Sequence, residues 1–180
     1  MTVCDKQNRR NCAKRREVRC AMQEQIEREI TENLTGEMRE AALNFAVFLK
    51  SRGLTFYRDR SGDWAEKIYY WVKSGENCVC FIAVKDPDEP QNAWTVWSDD
   101  SAAYEAPLND AKLAEIGLKY VDRCAKCGAC GGGRVKTVFG KRIPGVCMCT
   151  FRVDNAGFTD LPFLKTMVEL RLNEILHREP

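Results

Sequence analysis

The alternation of hydrophobic and polar positions changes period along this chain, and each change marks an element. In the Glu-rich run 23–31, Ile26 and Ile30 recur four residues apart, so a helix places both on one face. Met38, Ala41, Ala42, Phe45, Phe48 and Leu49 form one broad stripe of a second helix, which Thr35 can cap and Gly53 can end in a left-handed turn. From residue 54 to 98 the period shortens to two. Segments 54–58, 67–73, 78–84 and 93–98 are rich in β-branched and aromatic residues and separated by turn residues, which predicts a four-strand antiparallel meander. Its third strand is apolar on both faces and so belongs in the middle, with Cys78 and Cys80 as small hydrophobes. The helical period returns over 110–121, with Asn109 as cap and Leu113, Ile116 and Tyr120 inward, and over 160–177 behind Thr159. Apolar residues cover much of that last helix, so it packs deeply or pairs with a partner.

The reading is therefore α+β: an antiparallel sheet of about four strands packed with helices, followed by a cysteine-rich hairpin and a closing helix. Residues 22–123 form the core, 124–153 the hairpin, and 154–180 the C-terminal helix. A chain of 180 residues suits one such domain with an appendage. That appendage is residues 1–21, where seven basic residues against two acidic ones give a net of +5 and leave −3 for the rest of a chain whose total is +2. It reads as a disordered basic arm. Clustered cations can also neutralise phosphates, which makes Arg9, Arg10, Arg15 and Arg16 candidate nucleic-acid contacts. No apolar run is long enough to span a membrane, and no signal-peptide core follows the basic N-terminus, so the ten cysteines are expected in the cytoplasm.

The densest chemistry lies at Cys124-Ala-Lys-Cys127-Gly128-Ala-Cys130-Gly131 and Cys147-Met148-Cys149. A Cys-x-x-Cys turn followed by glycine can aim two sulfurs at one point, and a tetrahedral zinc needs four such ligands. If 139–153 is a hairpin arm, alternation puts Cys147 and Cys149 on one face with Phe151 and Val153. The segment resembles four-cysteine zinc-ribbon and knuckle modules over residues 124–149 alone. It departs from them in having Cys-x-Cys in the second half and one surplus thiol. The resemblance implies a structural zinc closed by Cys124, Cys127, Cys147 and Cys149, with Cys130 as the alternative ligand. An iron–sulfur cluster is the alternative cofactor, although the Cys-Pro of the bacterial ferredoxin run is missing. Lys126, Arg134, Lys136, Lys141 and Arg142 flank the thiols and could offset their charge, or Arg134 and Lys136 could meet a nucleic acid.

Aromatic residues crowd the sheet region, and alternation sends some of them to the face away from the helices. Trp71, Trp94 and Trp97 are the candidates for a pocket or stacking platform for a flat ligand. The single histidine, His177, sits at a helix end, and no phosphate loop or dinucleotide fingerprint occurs. The expectation is a zinc-stabilised binding or interaction domain for a protein or small-molecule partner. The alternatives are a nucleic-acid-binding regulator using the basic arm and the cysteine loop, and a metal-dependent or thiol-redox enzyme.

Overall fold

A computed structural model describes residues 24–125 and 131–178. The basic arm 1–21, Cys127 and Cys130 lie outside the described residues. Helix α1 covers 24–33 and α2 covers Gly36–Ser51. The meander follows as β1 (Thr55–Asp59), β2 (Ile68–Ser74), β3 (Asn77–Val84) and β4 (Trp94–Ser98). After a 3-10 turn at Ala102–Tyr104 come α3 (Ala111–Lys119), β5 (Val121–Arg123), β6 (Arg134–Val138), β7 (Lys141–Asp154) and α4 (Leu161–Arg178). No described helix is long and apolar enough to cross a membrane.

The four strands expected from the pattern are present, but they are only part of the sheet. Residues 95–97 of β4 pair with the end of β7, and the sheet runs on in the order β1-β2-β3-β4-β7-β5, with β6 on the first half of β7. All seven strands are antiparallel. The cysteine hairpin is thus continuous with the core sheet. Three-residue β5 was missed because so short a segment has no measurable period.

Every described α-helix packs on one face of this sheet. Ile26, Ile30 and Leu34 of the α1 segment are buried there, and Glu29 holds the sheet through Arg58 and the Tyr70 hydroxyl. Helix α2 sets Phe45 against Trp94, with ring centroids 6.5 Å apart. Helix α4 reaches the sheet through Phe163, 5.1 Å from the Phe151 ring on β7. Helix α3 leans on the same rings at Gly117, where an added Cβ would stand 2.4 Å from Phe163 and 2.7 Å from Phe139. Only glycine allows that approach. The cap of α3 is Asp110, whose carboxylate accepts from Leu113 N at 3.0 Å, one residue beyond the expected Asn109.

The hairpin carries more core than its sequence suggests. Val138, Val146 and Phe151 are fully buried and Phe139 nearly so. The closing helix is consequently seated on aromatic rings of the hairpin, so burial as well as any metal holds it.

Candidate functional site

Cross-strand pairing brings four aromatic residues into one line on the face that, among the described residues, no α-helix covers. Tyr57 of β1 stands opposite Trp71 of β2, Trp71 opposite Phe81 of β3, Phe81 opposite Trp97 of β4, and Trp97 opposite Arg152 of β7. Adjacent strands lie about 4.8 Å apart, so the four rings span roughly 14 Å. Tyr69 and Trp64 extend the cluster: their ring centroids are 4.4 Å apart, and Tyr69 lies 6.0 Å from Trp97. Phe81 forms the floor, 7% exposed, with Trp71 edge-on at 4.7 Å. Tyr57, at 43%, is the most open ring of the row.

Trp94, expected beside Trp71 and Trp97, belongs to the opposite face. It is buried against the helices and donates its indole N–H to Ala156 O at 3.1 Å. The register explains the split: Trp94 pairs with Val84 and Trp97 with Phe81, three residues apart and therefore on opposite sides of the pleat.

Cations stand over these rings. Lys73 lies 5.4 Å from Tyr57 and 5.7 Å from Trp71, Lys67 is 5.0 Å from Trp64, and Arg152 is 5.2 Å from Trp97. Two of them also hold carboxylates. Lys67 pairs with Asp86 at 3.1 Å and Asp88 at 2.6 Å, and Arg152 with Glu89 and, at 3.0 Å, Asp154. The hydrogen bond from Lys67 to Asp88 raises the lysine pKa above its ordinary value, and that from Arg152 lowers the pKa of Glu89. Asp59 accepts from Trp71 Nε1 at 3.0 Å and is held below the usual carboxylate range, chiefly by the Ser61 hydroxyl. Lys73 makes no ion pair among the described residues.

The expected alternation along the last strand does not carry through. Between the pairs Arg123↔Val146 and Val121↔Phe151 the register shifts, because β7 advances five residues while β5 advances two. Phe151 and Val153 join the core; Cys147 and Cys149 do not share it. Cys147 hydrogen-bonds Asp122. Burial, then the charges of Cys147 and Asp122, push the Cys149 thiol up to about 12. Cys149 also interacts electrostatically with Tyr69, beside the aromatic row. Cys124 lies where its N–H reaches Gly145 O at 2.9 Å, and an added Cβ on Gly133 would stand 2.8 Å from the Cys124 Cβ. Three of the five proposed thiols therefore come from two neighbouring strands, β5 and β7, or their ends. Among the described residues no group of three or more His, Cys, Asp or Glu side chains is arranged to hold a metal. Cys80 is fully buried as expected and Cys78 is half-buried.

Of the two candidate nucleic-acid contacts in the hairpin, Lys136 is already engaged. Its ammonium binds Asp100 at 2.7 Å, Met148 O at 2.9 Å and Thr150 Oγ1 at 3.1 Å. Arg134 is exposed. Both line a cavity of about 580 Å³ between β6, the 98–105 loop and α4, whose inner wall is Arg171 with Asp99 and Glu174. That polar triad was not legible in the sequence, because Asp99 stands 72 residues before the Arg171 it pairs with.

Fold and site together define a helix-backed antiparallel α+β domain with an aromatic row on the second face of its sheet, exposed at Tyr57 and buried at Phe81. No family model, curated protein or solved structure matches the chain.

Proposed function

We propose that this protein is a binding domain whose ligand-bearing surface is the helix-free face of the sheet, with a structural zinc held by the cysteine segment. The observation that carries the reading is the line Tyr57, Trp71, Phe81, Trp97 across four strands, with no α-helix over it among the described residues. The second face of the sheet carries large amphipathic rings with cations over them. Truncating a ring on a binding surface costs little stability. Tyr57→Ala and Trp97→Leu are each expected to lower unfolding free energy by about 1–2 kcal/mol at most, measured by urea denaturation. Losses of about 3–5 kcal/mol in both would make the row a second core and end the reading.

For the metal, the donor set has the right chemistry: Cys124 just after β5, Cys147 and Cys149 within β7, and a Cys-x-x-Cys spacing between them in sequence. The ligands we propose are Cys124, Cys127, Cys147 and Cys149, with Cys130 able to replace Cys124. When bound, zinc supplies cross-linking of the hairpin and no chemistry of its own. Elemental analysis of the full chain purified without added metal is expected to give about one zinc per chain. Cys127→Ser and Cys147→Ser should each abolish it, and one of Cys124→Ser and Cys130→Ser should be nearly silent. Iron with visible absorption would point to a cluster, and a metal-free chain of full stability would remove the centre altogether.

A further inference from the structure

The sheet ends on β1, and among the described residues nothing extends it further. Strand β1 pairs with β2 alone, and outside that ladder no backbone hydrogen bond reaches residues 55–59 among the described residues. Its outer edge therefore presents unpaired N–H and C=O groups, a template for another strand. Proteins commonly blunt such an edge with lysine, proline or a bulge. Thr55-Phe-Tyr-Arg-Asp59 has none of these: its register with β2 runs without a shift, and its one cation, Arg58, is held by Glu29 on the helix-bearing side. Tyr57 stands at the centre of the strand and is the most open ring of the aromatic row.

Side chains decide what such an edge can pair with. Turned about a two-fold axis at Tyr57, β1 lies antiparallel to itself: Tyr57 faces Tyr57, Phe56 faces Arg58, and Thr55 faces Asp59. No like charges meet, and each side chain keeps to its own side of the pleat. The neighbouring charges fit as well. Lys73 of β2 stands beside Thr55 and makes no ion pair among the described residues, while Asp59 accepts from Trp71 Nε1 and the Ser61 hydroxyl and meets no cation there. In the two-fold arrangement each free lysine lies across the small Thr55 from the other copy's Asp59, about 10 Å away between backbones. The match occurs twice, once at each end of the pair.

We infer that the β1 edge pairs with the β1 edge of a second copy of this chain, joining two sheets into one across a two-fold axis. The contact uses the same surface on both copies, so it closes at two chains. Five-residue strands and one pair of tyrosines make a small interface, which belongs to the weak, transient class. The pairing does not rest on what the aromatic face binds.

The test is sedimentation equilibrium of the full chain over a concentration series, in which the mean mass should rise from one chain toward two in the micromolar to millimolar range. Lys73→Asp and Asp59→Lys should each weaken self-association about ten-fold, because each sets like charges together at both ends of the pair. An equimolar mixture of the two variants restores opposite charges at both ends and should associate about as tightly as wild type. A variant that merely damaged the fold could not recover in this way. Amide hydrogen exchange of the wild type needs no variant and covers the case in which one fails to fold: residues 55–59 should exchange more slowly at associating than at dilute concentrations. A chain that stays monomeric throughout, or one whose mass passes beyond two copies, would overturn the inference. So would association with unchanged exchange at 55–59, unchanged association in both folded variants, or a mixture no tighter than either variant alone. Protection of 55–59 at every concentration in a monomer would likewise overturn it, and would give the edge to residues 1–21 of the same chain.

Discussion

Phe151→Ala is expected to lose about 3–5 kcal/mol of unfolding free energy, enough to remove much of the stability of a domain this size. Phe151 is fully buried, and three rings from three different parts of the chain meet it: Tyr104 at 5.0 Å, Phe139 at 5.4 Å and Phe163 at 5.1 Å. Its own backbone N–H donates to Ser98 Oγ at 3.0 Å, which ties β7 to β4 at the same level. Truncation leaves a cavity that cannot collapse, because its walls belong to a sheet, two turns and a helix. Denaturant titration should show the loss, and Phe151→Leu should recover more than half of it. A change below about 1 kcal/mol for the alanine variant would show that α4 is held elsewhere, and would return weight to the metal as its lock.

The second large effect is expected at Arg171, which is 9% exposed and uses every face of its guanidinium. Nε donates to Cys78 O at 3.1 Å, Nη1 to Glu174 at 2.8 Å and Nη2 to Asp99 at 2.8 Å. Arg171→Met keeps the stem but leaves two partly buried carboxylates without their cation, a change of about 3–5 kcal/mol. The cost depends on pH in a direction that can be worked out. Burial alone would raise Glu174, but hydrogen bonds from Ser101, Arg171 and Ala102 N outweigh it and hold the group below its usual value. Its contribution is therefore present above the ordinary carboxylate range and disappears as pH falls through the folded value. Asp99 is shifted the other way. Burial outweighs Arg171 and raises it, so its share favours folding at low pH and fades as pH rises through the folded value. Without the guanidinium both carboxyls lose a charge that favours their ionised form, and both can relieve the deficit by taking up a proton. The gap between wild type and Arg171→Met should be widest near neutrality and should narrow as pH falls below about 5. A gap independent of pH would mean that the arginine acts by packing alone.

How much of this was legible beforehand follows from the range of the forces involved. The α2 stripe, the four meander strands and the apolar third strand came out as read, since each rests on periodicity within one segment. The closing helix starts at Leu161, one residue after the expected 160. Placement of the tryptophans failed for a different reason. Trp94 and Trp97 are both strand residues of high β-propensity, and composition treats them alike; the register across β3 separates them. Cys147 and Cys149 were placed with Phe151 on the assumption of unbroken alternation, and the register shift against β5 removed that premise.

The sequence by itself determined the class of the fold, the order of its helices and main strands, and the types of residue available for binding: thiols in one segment, aromatics in another, cations at the start. Those are properties of local period and composition, and they need no partner. Only the tertiary structure decided that the hairpin extends the core sheet, that the described α-helices gather on one side, and that Tyr57, Trp71, Phe81 and Trp97 stand in one row. The physical reason is that strand pairing is a contact between distant segments, fixed by hydrogen-bond register and by which faces can be buried together. A single-residue slip in any one strand would send its side chains to the other side of the sheet, and nothing within that strand alone forbids the slip.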